Sequence, residues 1–101
     1  MSTLQKIDEI KSKLHSVFAK APVHRAILFG SYARGTATDE SDVDIVIDSQ
    51  GQLLNLHFYG LLEDITEQLD TSVDLFEWTE LKHNPAMCAA IEQEGVVLYE
   101  K

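Results

Sequence analysis

The chain is poor in several things at once. It has a single cysteine, two prolines, and eight lysines and arginines against 17 aspartates and glutamates in its 101 residues. A lone Cys88 cannot close an internal disulfide, which agrees with a reducing compartment and an expected cytoplasmic location. The shortage of bases leaves a formal net charge of −9. That argues against a nucleic-acid surface, which needs clustered Lys and Arg, and suits divalent cations or a basic partner better. No stretch approaches the roughly 20 apolar residues of a membrane span. The charged start, Met1 to Glu9, lacks the apolar core of a signal peptide. There is no repeat, linker or low-complexity run, so residues 1–101 are expected to form one domain around one core.

What is present is ordered by period. Leu4, Ile7, Ile10, Leu14, Val17 and Phe18 recur at helical spacing. Ser2 and Gln5 have the spacing of a capping box, so a helix is predicted over 3–20, ending before Pro22. Arg25–Phe29 is short and nearly all apolar, as in a central strand. Residues 30–35 are read as a turn with one helical turn, closed by Gly35. Asp42–Ile47 is a second strand, and Asp48 to Gly51 the following turn, with Asp48 capping it. Leu54, Phe58, Leu61, Leu62, Ile65 and Leu69 share one face of a helix from about 52 to 69. Ser72–Phe76 is a third strand. Asn84-Pro85 opens a helix that runs to Glu94 and stops at Gly95, and Val96–Tyr99 is a last strand. This order predicts an α/β (α+β) sandwich, a small mixed β-sheet flanked by helices.

The chemistry concentrates between residues 30 and 44. Asp42 and Asp44 are spaced i, i+2, which on a strand turns both carboxylates to one face while Val43 and Ile45 face the core. Two like charges about 6 Å apart repel by about 2.8 kcal/mol at an effective dielectric of 20. Without a cation that raises one pKa, and one or two Mg²⁺ ions would relieve it. An EF-hand is a poor alternative, because Val46 and Ile47 stand where that loop needs a ligand and a glycine. A bare Asp-x-Asp is ordinarily a solvated strand face. Here Gly30-Ser31 precedes it by ten residues, and a glycine lets backbone N–H groups approach a phosphate closely. The Ser31 hydroxyl can add a hydrogen bond, and a helical turn starting at Ser31 would favour an anion. Arg34 can reach a triphosphate or pair with Asp39 or Glu40. Asp74, mid-strand between Val73 and Leu75, would join the other acids if its strand neighbours Asp42–Ile47. It could then bind metal and accept the proton of an attacking hydroxyl. The histidines at 15, 24, 57 and 83 lack metal-ligand spacing, and Trp78 and Tyr99 are read as packing residues.

Gly30-Ser31, Asp42-x-Asp44 and the later strand acid Asp74 resemble the DNA polymerase beta nucleotidyltransferase superfamily. The wording Gly-Ser-Tyr-Ala-Arg-Gly is most similar to its minimal nucleotidyltransferase (MNT) branch. The resemblance implies a nucleotidyltransferase-like fold and a two-metal transfer of a nucleoside monophosphate from NTP to a hydroxyl. By it, Gly30 and Ser31 hold the phosphates, Asp42 and Asp44 bridge the Mg²⁺ ions, and Asp74 completes the catalytic metal site. It further implies ATP as substrate and a helical HEPN-type partner, in some pairs a toxin whose tyrosine is adenylylated by the MNT antitoxin. With no acceptor-binding domain in view, the acceptor is expected from another subunit, and the acidic balance favours protein over RNA. The alternative is a non-catalytic module that binds nucleotide or partner. The full set of three acids and Gly-Ser favours the enzyme.

Overall fold

The computed structural model describes residues 6–53 and 55–101. The capping box at Ser2 and Gln5, and Leu4 and Leu54, lie outside the described residues. Helix α1 spans Ile7–Ala19 and buries Ile10, Leu14 and Phe18, one residue per turn on a single stripe. Strand β1 is Arg25–Phe29, α2 is Ser31–Arg34, β2 is Val43–Asp48 and α3 is Leu56–Leu69. Strand β3 is Val73–Glu77, α4 is Trp78–Leu81, α5 is Pro85–Glu94 and β4 is Val96–Glu100. Helix α5 starts as the sequence predicts: the Met87 N–H donates to Asn84 Oδ1 at 3.2 Å, and Pro85 occupies the first turn.

The four strands form one mixed sheet in the order β3-β2-β1-β4. Strand β1 is central and antiparallel to both β2 and β4, while β2 and β3 run parallel across the α3 crossover. One face is covered by α1 and α3. There Val43, Ile45, Ile47, Ala26, Leu28 and Val73 meet Leu14, Phe18, Leu61 and Ile65 in the main core. On the other face Phe29, Val46, Leu81 and Ile91 make a smaller cluster under α4 and α5. The strand residues of the first face alternate with Asp44, Val46 and Asp74, so the acids share the thinly covered side.

Several predicted boundaries differ: β3 spans Val73–Glu77 rather than Ser72–Phe76, and β2 and β4 each end one residue later than predicted. The second strand starts at Val43 rather than Asp42, so Asp42 lies just ahead of it. Helix α3 starts at Leu56 rather than 52, because Asn55 takes φ 52°, off the helical path. The four-residue α4 has no counterpart in the sequence reading. Asp48 does cap its turn: its Oδ1 accepts from the Gln50 N–H at 3.1 Å.

Glu77, read from sequence as lying beyond the third strand, ends β3 and is 2 % exposed. The fully buried Ser49 donates its hydroxyl to Glu77 Oε1, and its backbone N–H approaches both carboxylate oxygens at 3.3 and 3.4 Å. The same hydroxyl accepts from the Leu53 N–H at 3.2 Å. One serine therefore ties the loop after β2 to the end of β3. Ser49→Ala deprives a buried carboxylate of its best donor and should lower the unfolding free energy by about 1–3 kcal/mol. Urea denaturation measures this, and a loss well under that range would mean that Glu77 is satisfied by other means.

Candidate active site

The site starts with the end of β1. Phe29 faces Asp44 in the antiparallel register, so the next residue, Gly30, turns directly beside that carboxylate. Gly30 adopts φ 77°, ψ −155°, and a Cβ built there would stand 2.2 Å from Asp44 Oδ2. Only glycine meets both conditions. The chain then winds into α2, where the Arg34 N–H donates to Gly30 O at 3.0 Å, and Gly35 closes the turn in the left-handed region at φ 78°. Ser31 is half-buried at the start of this turn.

The parallel register of β2 and β3 sets Asp44 opposite Asp74. Asp44 is half-buried, whereas Asp42 and Asp74 are exposed. The mid-strand Asp74 thus escapes the cost of burial by lying on the edge strand, on the same side of the sheet as Asp44. The Asp44 pKa is raised to about 6. Burial is the largest cause, followed by the charges of Asp74 and Asp42 and a hydrogen bond shared with Asp74, with Arg34 pulling weakly the other way. A hydrogen bond between two carboxyl groups needs a proton on one of them.

Arg34 has a partner outside the Asp39–Glu40 loop. Its Nη1 lies 2.9 Å from Glu94 Oε2, which pins α2 to the end of α5. Contact with a phosphate would require Arg34 to exchange or share that partner. Sixty residues separate the pair, and no local spacing signals it.

Among the described residues, no group of three or more His, Cys, Asp or Glu is arranged to hold a metal ion by itself. The donor set nevertheless fits Mg²⁺. All three candidates supply hard oxygen, and Mg²⁺ is usually held by one or two carboxylates together with substrate phosphates and water. The raised Asp44 pKa comes first from burial and then from the charges of Asp74 and Asp42, and a bound cation would offset the second of these.

The family model described as Polymerase beta, Nucleotidyltransferase matches residues 12–101. The chain belongs to this family. A Thermococcus cleftensis protein named Protein adenylyltransferase MntA is 37% identical to this nucleotidyltransferase over 86 residues, 81% of this chain and 84% of that one. A Methanocaldococcus jannaschii protein, provisionally named a protein adenylyltransferase, is 36% identical over 97 residues, 93% of this chain and 96% of that one. Among solved structures, a toxin–antitoxin crystal structure with AMP-PNP superposes with a TM-score of 0.76 at 25% identity, covering 90% of this chain and 73% of that one. An MNT antitoxin in complex with a tri-AMPylated Shewanella oneidensis HEPN toxin has the same fold, with a TM-score of 0.70 at 21% identity over 94% of this chain and 73% of the other. The mixed four-stranded sheet with its helices is thus the nucleotidyltransferase fold.

The nucleotidyltransferase should show its strained acid as pH-dependent stability. The folded state holds a proton on Asp44 up to about pH 6, whereas the unfolded chain releases it near the ordinary value of about 3.9. Between these limits the folded state binds more protons, so this group's stabilising contribution is present below about pH 4 and is lost as pH rises to about 6. In EDTA, the wild type should lose unfolding free energy relative to Asp44→Asn across that window. A difference that stays flat with pH would mean that Asp44 titrates normally.

Proposed function

We propose that this nucleotidyltransferase moves AMP from ATP to a hydroxyl on a HEPN-type partner protein, as the antitoxin of a toxin–antitoxin pair in the cytoplasm. The observation that carries the reading is the Asp44 carboxylate lodged against the Gly30 α-carbon and opposite Asp74. It joins a phosphate-accepting turn to a charge-poor acid pair within one side-chain length. The relatives support the finer points, since two carry protein adenylyltransferase names and one neighbouring complex is described with an AMPylated HEPN toxin.

In this reading Gly30 and Ser31 receive the triphosphate through backbone N–H groups and the Ser31 hydroxyl, with Arg34 beside them. Asp42, Asp44 and Asp74 would hold one or two Mg²⁺ ions, which would supply charge neutralisation for the phosphates and a lowered pKa for the attacking hydroxyl. Asp74, exposed on the edge strand, accepts the hydroxyl proton. The hydroxyl oxygen bonds to the α-phosphorus, the bond to the β-phosphate bridging oxygen breaks, and pyrophosphate leaves. The open, acidic site of this chain offers one wall. The partner supplies the other and orients the acceptor, an effect worth up to about 7–11 kcal/mol in well-placed systems.

Intact-mass spectrometry of the chain with its HEPN-type partner, ATP and Mg²⁺ tests this. Gain of AMP units on the partner, lost with Asp44→Ala and with Asp42→Asn, is expected. Ser31→Ala should slow transfer by only about 2- to 13-fold, because it removes one neutral hydrogen bond of about 0.5–1.5 kcal/mol. Efficient labelling of free RNA or of a small molecule by the chain alone would overturn the reading.

A further inference from the structure

Strand β3 lies at the edge of the sheet, with β2 its neighbour. The Val43 N–H donates to Ser72 O at 3.0 Å, and Val43 stands opposite Val73. That phase directs the backbone groups of Asp74 and Phe76 into the ladder and those of Val73 and Leu75 off the edge. A groove of about 330 Å³ runs along this edge between α3 and α4, floored by Phe58, Leu62 and Leu75 and flanked by Tyr59 and Glu80. A second hollow of about 180 Å³ shares Phe58, Tyr59 and Glu80 and extends it toward Asn55. Tyr59 is 65% exposed. Neither hollow is lined by a Lys, Arg or His, and the acids that a docked segment would meet in the first are Asp74 and Glu80, Glu77 being buried against Ser49. Asp74 thus belongs both to the acid pair and to the groove wall.

We propose that this groove is the docking site for the partner's acceptor segment, bound as an added strand on Val73–Leu75. What the segment carries rests on the transfer reading above. Backbone groups of an extended segment would pair with the outward N–H and C=O groups of Val73 and Leu75. An apolar side chain would sit on Phe58 and Leu62, and a Lys or Arg would meet Glu80. Successive side chains of such a segment alternate faces, as Leu75 and Asp74 do on β3. With its apolar anchor against Leu62 and Leu75, a neighbouring residue on the same strand can present its hydroxyl at Asp74. The acidic lining selects a basic segment, and the net charge of −9 strengthens that choice at longer range.

The test uses Tyr59→Ala and Glu80→Lys, neither of which touches the acid pair, together with the HEPN-type partner. Both variants should bind Mg²⁺·ATP as the wild type does, while partner binding weakens and the KM for the partner rises by about tenfold each. Hydrogen exchange at the Val73 and Leu75 amides should slow in the complex. Unchanged partner affinity in both variants, or no protection of these amides, overturns the proposal. Protection that grows with the concentration of this chain alone also overturns it, because a second copy would then fill the edge. Groove-dependent partner binding without AMP transfer would overturn the transfer reading and leave the docking site standing.

Discussion

The carboxylate of Asp44 is confined between the α-carbon of Gly30 and the carboxyl of Asp74, and the rest of the molecule is arranged around that confinement. The antiparallel register that opposes Phe29 to Asp44 brings the β1 turn beside the acid, and the parallel register of β2 and β3 brings Asp74. Slipping β3 by one residue would turn Asp74 toward α3 and Val73 toward solvent, so the hydrophobic pattern itself guards the acid pair. The arrangement is electrostatically unfavourable on its own. A proton on Asp44 relieves it at low pH, and a divalent cation would relieve it at neutral pH.

The two sheet faces divide the work. The α1 and α3 side holds the large aliphatic core, including the fully buried Ile10, Leu14, Phe18 and Ile65. This side supplies most of the apolar burial that stabilises the sheet. The opposite side carries the small cluster around Phe29 and Val46, and that thin cover leaves room for charge and for solvent. The Arg34–Glu94 pair is too exposed to stabilise the fold by more than about 1 kcal/mol. Its contribution is to hold α2 and the cation of Arg34 near Asp44.

Features governed by neighbours in sequence were legible before the fold was known. The run Ala26–Phe29, the α2 turn closed by Gly35 and the Asn84-Pro85 helix start all depend on a few adjacent residues. Even the placement of Asp74 on the side of Asp44 follows from strand parity once β2 and β3 are neighbours. What could not be read depends on distant partners. Glu77 is an acid after an apolar strand, and nothing local says that Ser49, 28 residues earlier, buries it. The Arg34–Glu94 pair is hidden in the same way. Helix α4 has too few residues for a period to register, and the apolar spacing that begins at Leu54 masks the turn at Asn55. The tight contact of Gly30 with Asp44 was also invisible, since a glycine in a turn has many possible reasons.

The most direct test is the titration of the Asp44 carboxyl carbon by NMR, in EDTA and then with Mg²⁺ and a non-hydrolysable ATP analogue. A midpoint near 6 in EDTA is expected. It should fall below the ordinary value of about 3.9 once cation and nucleotide bind. A midpoint near 3.9 in EDTA, unmoved by Mg²⁺ and nucleotide, would contradict the account.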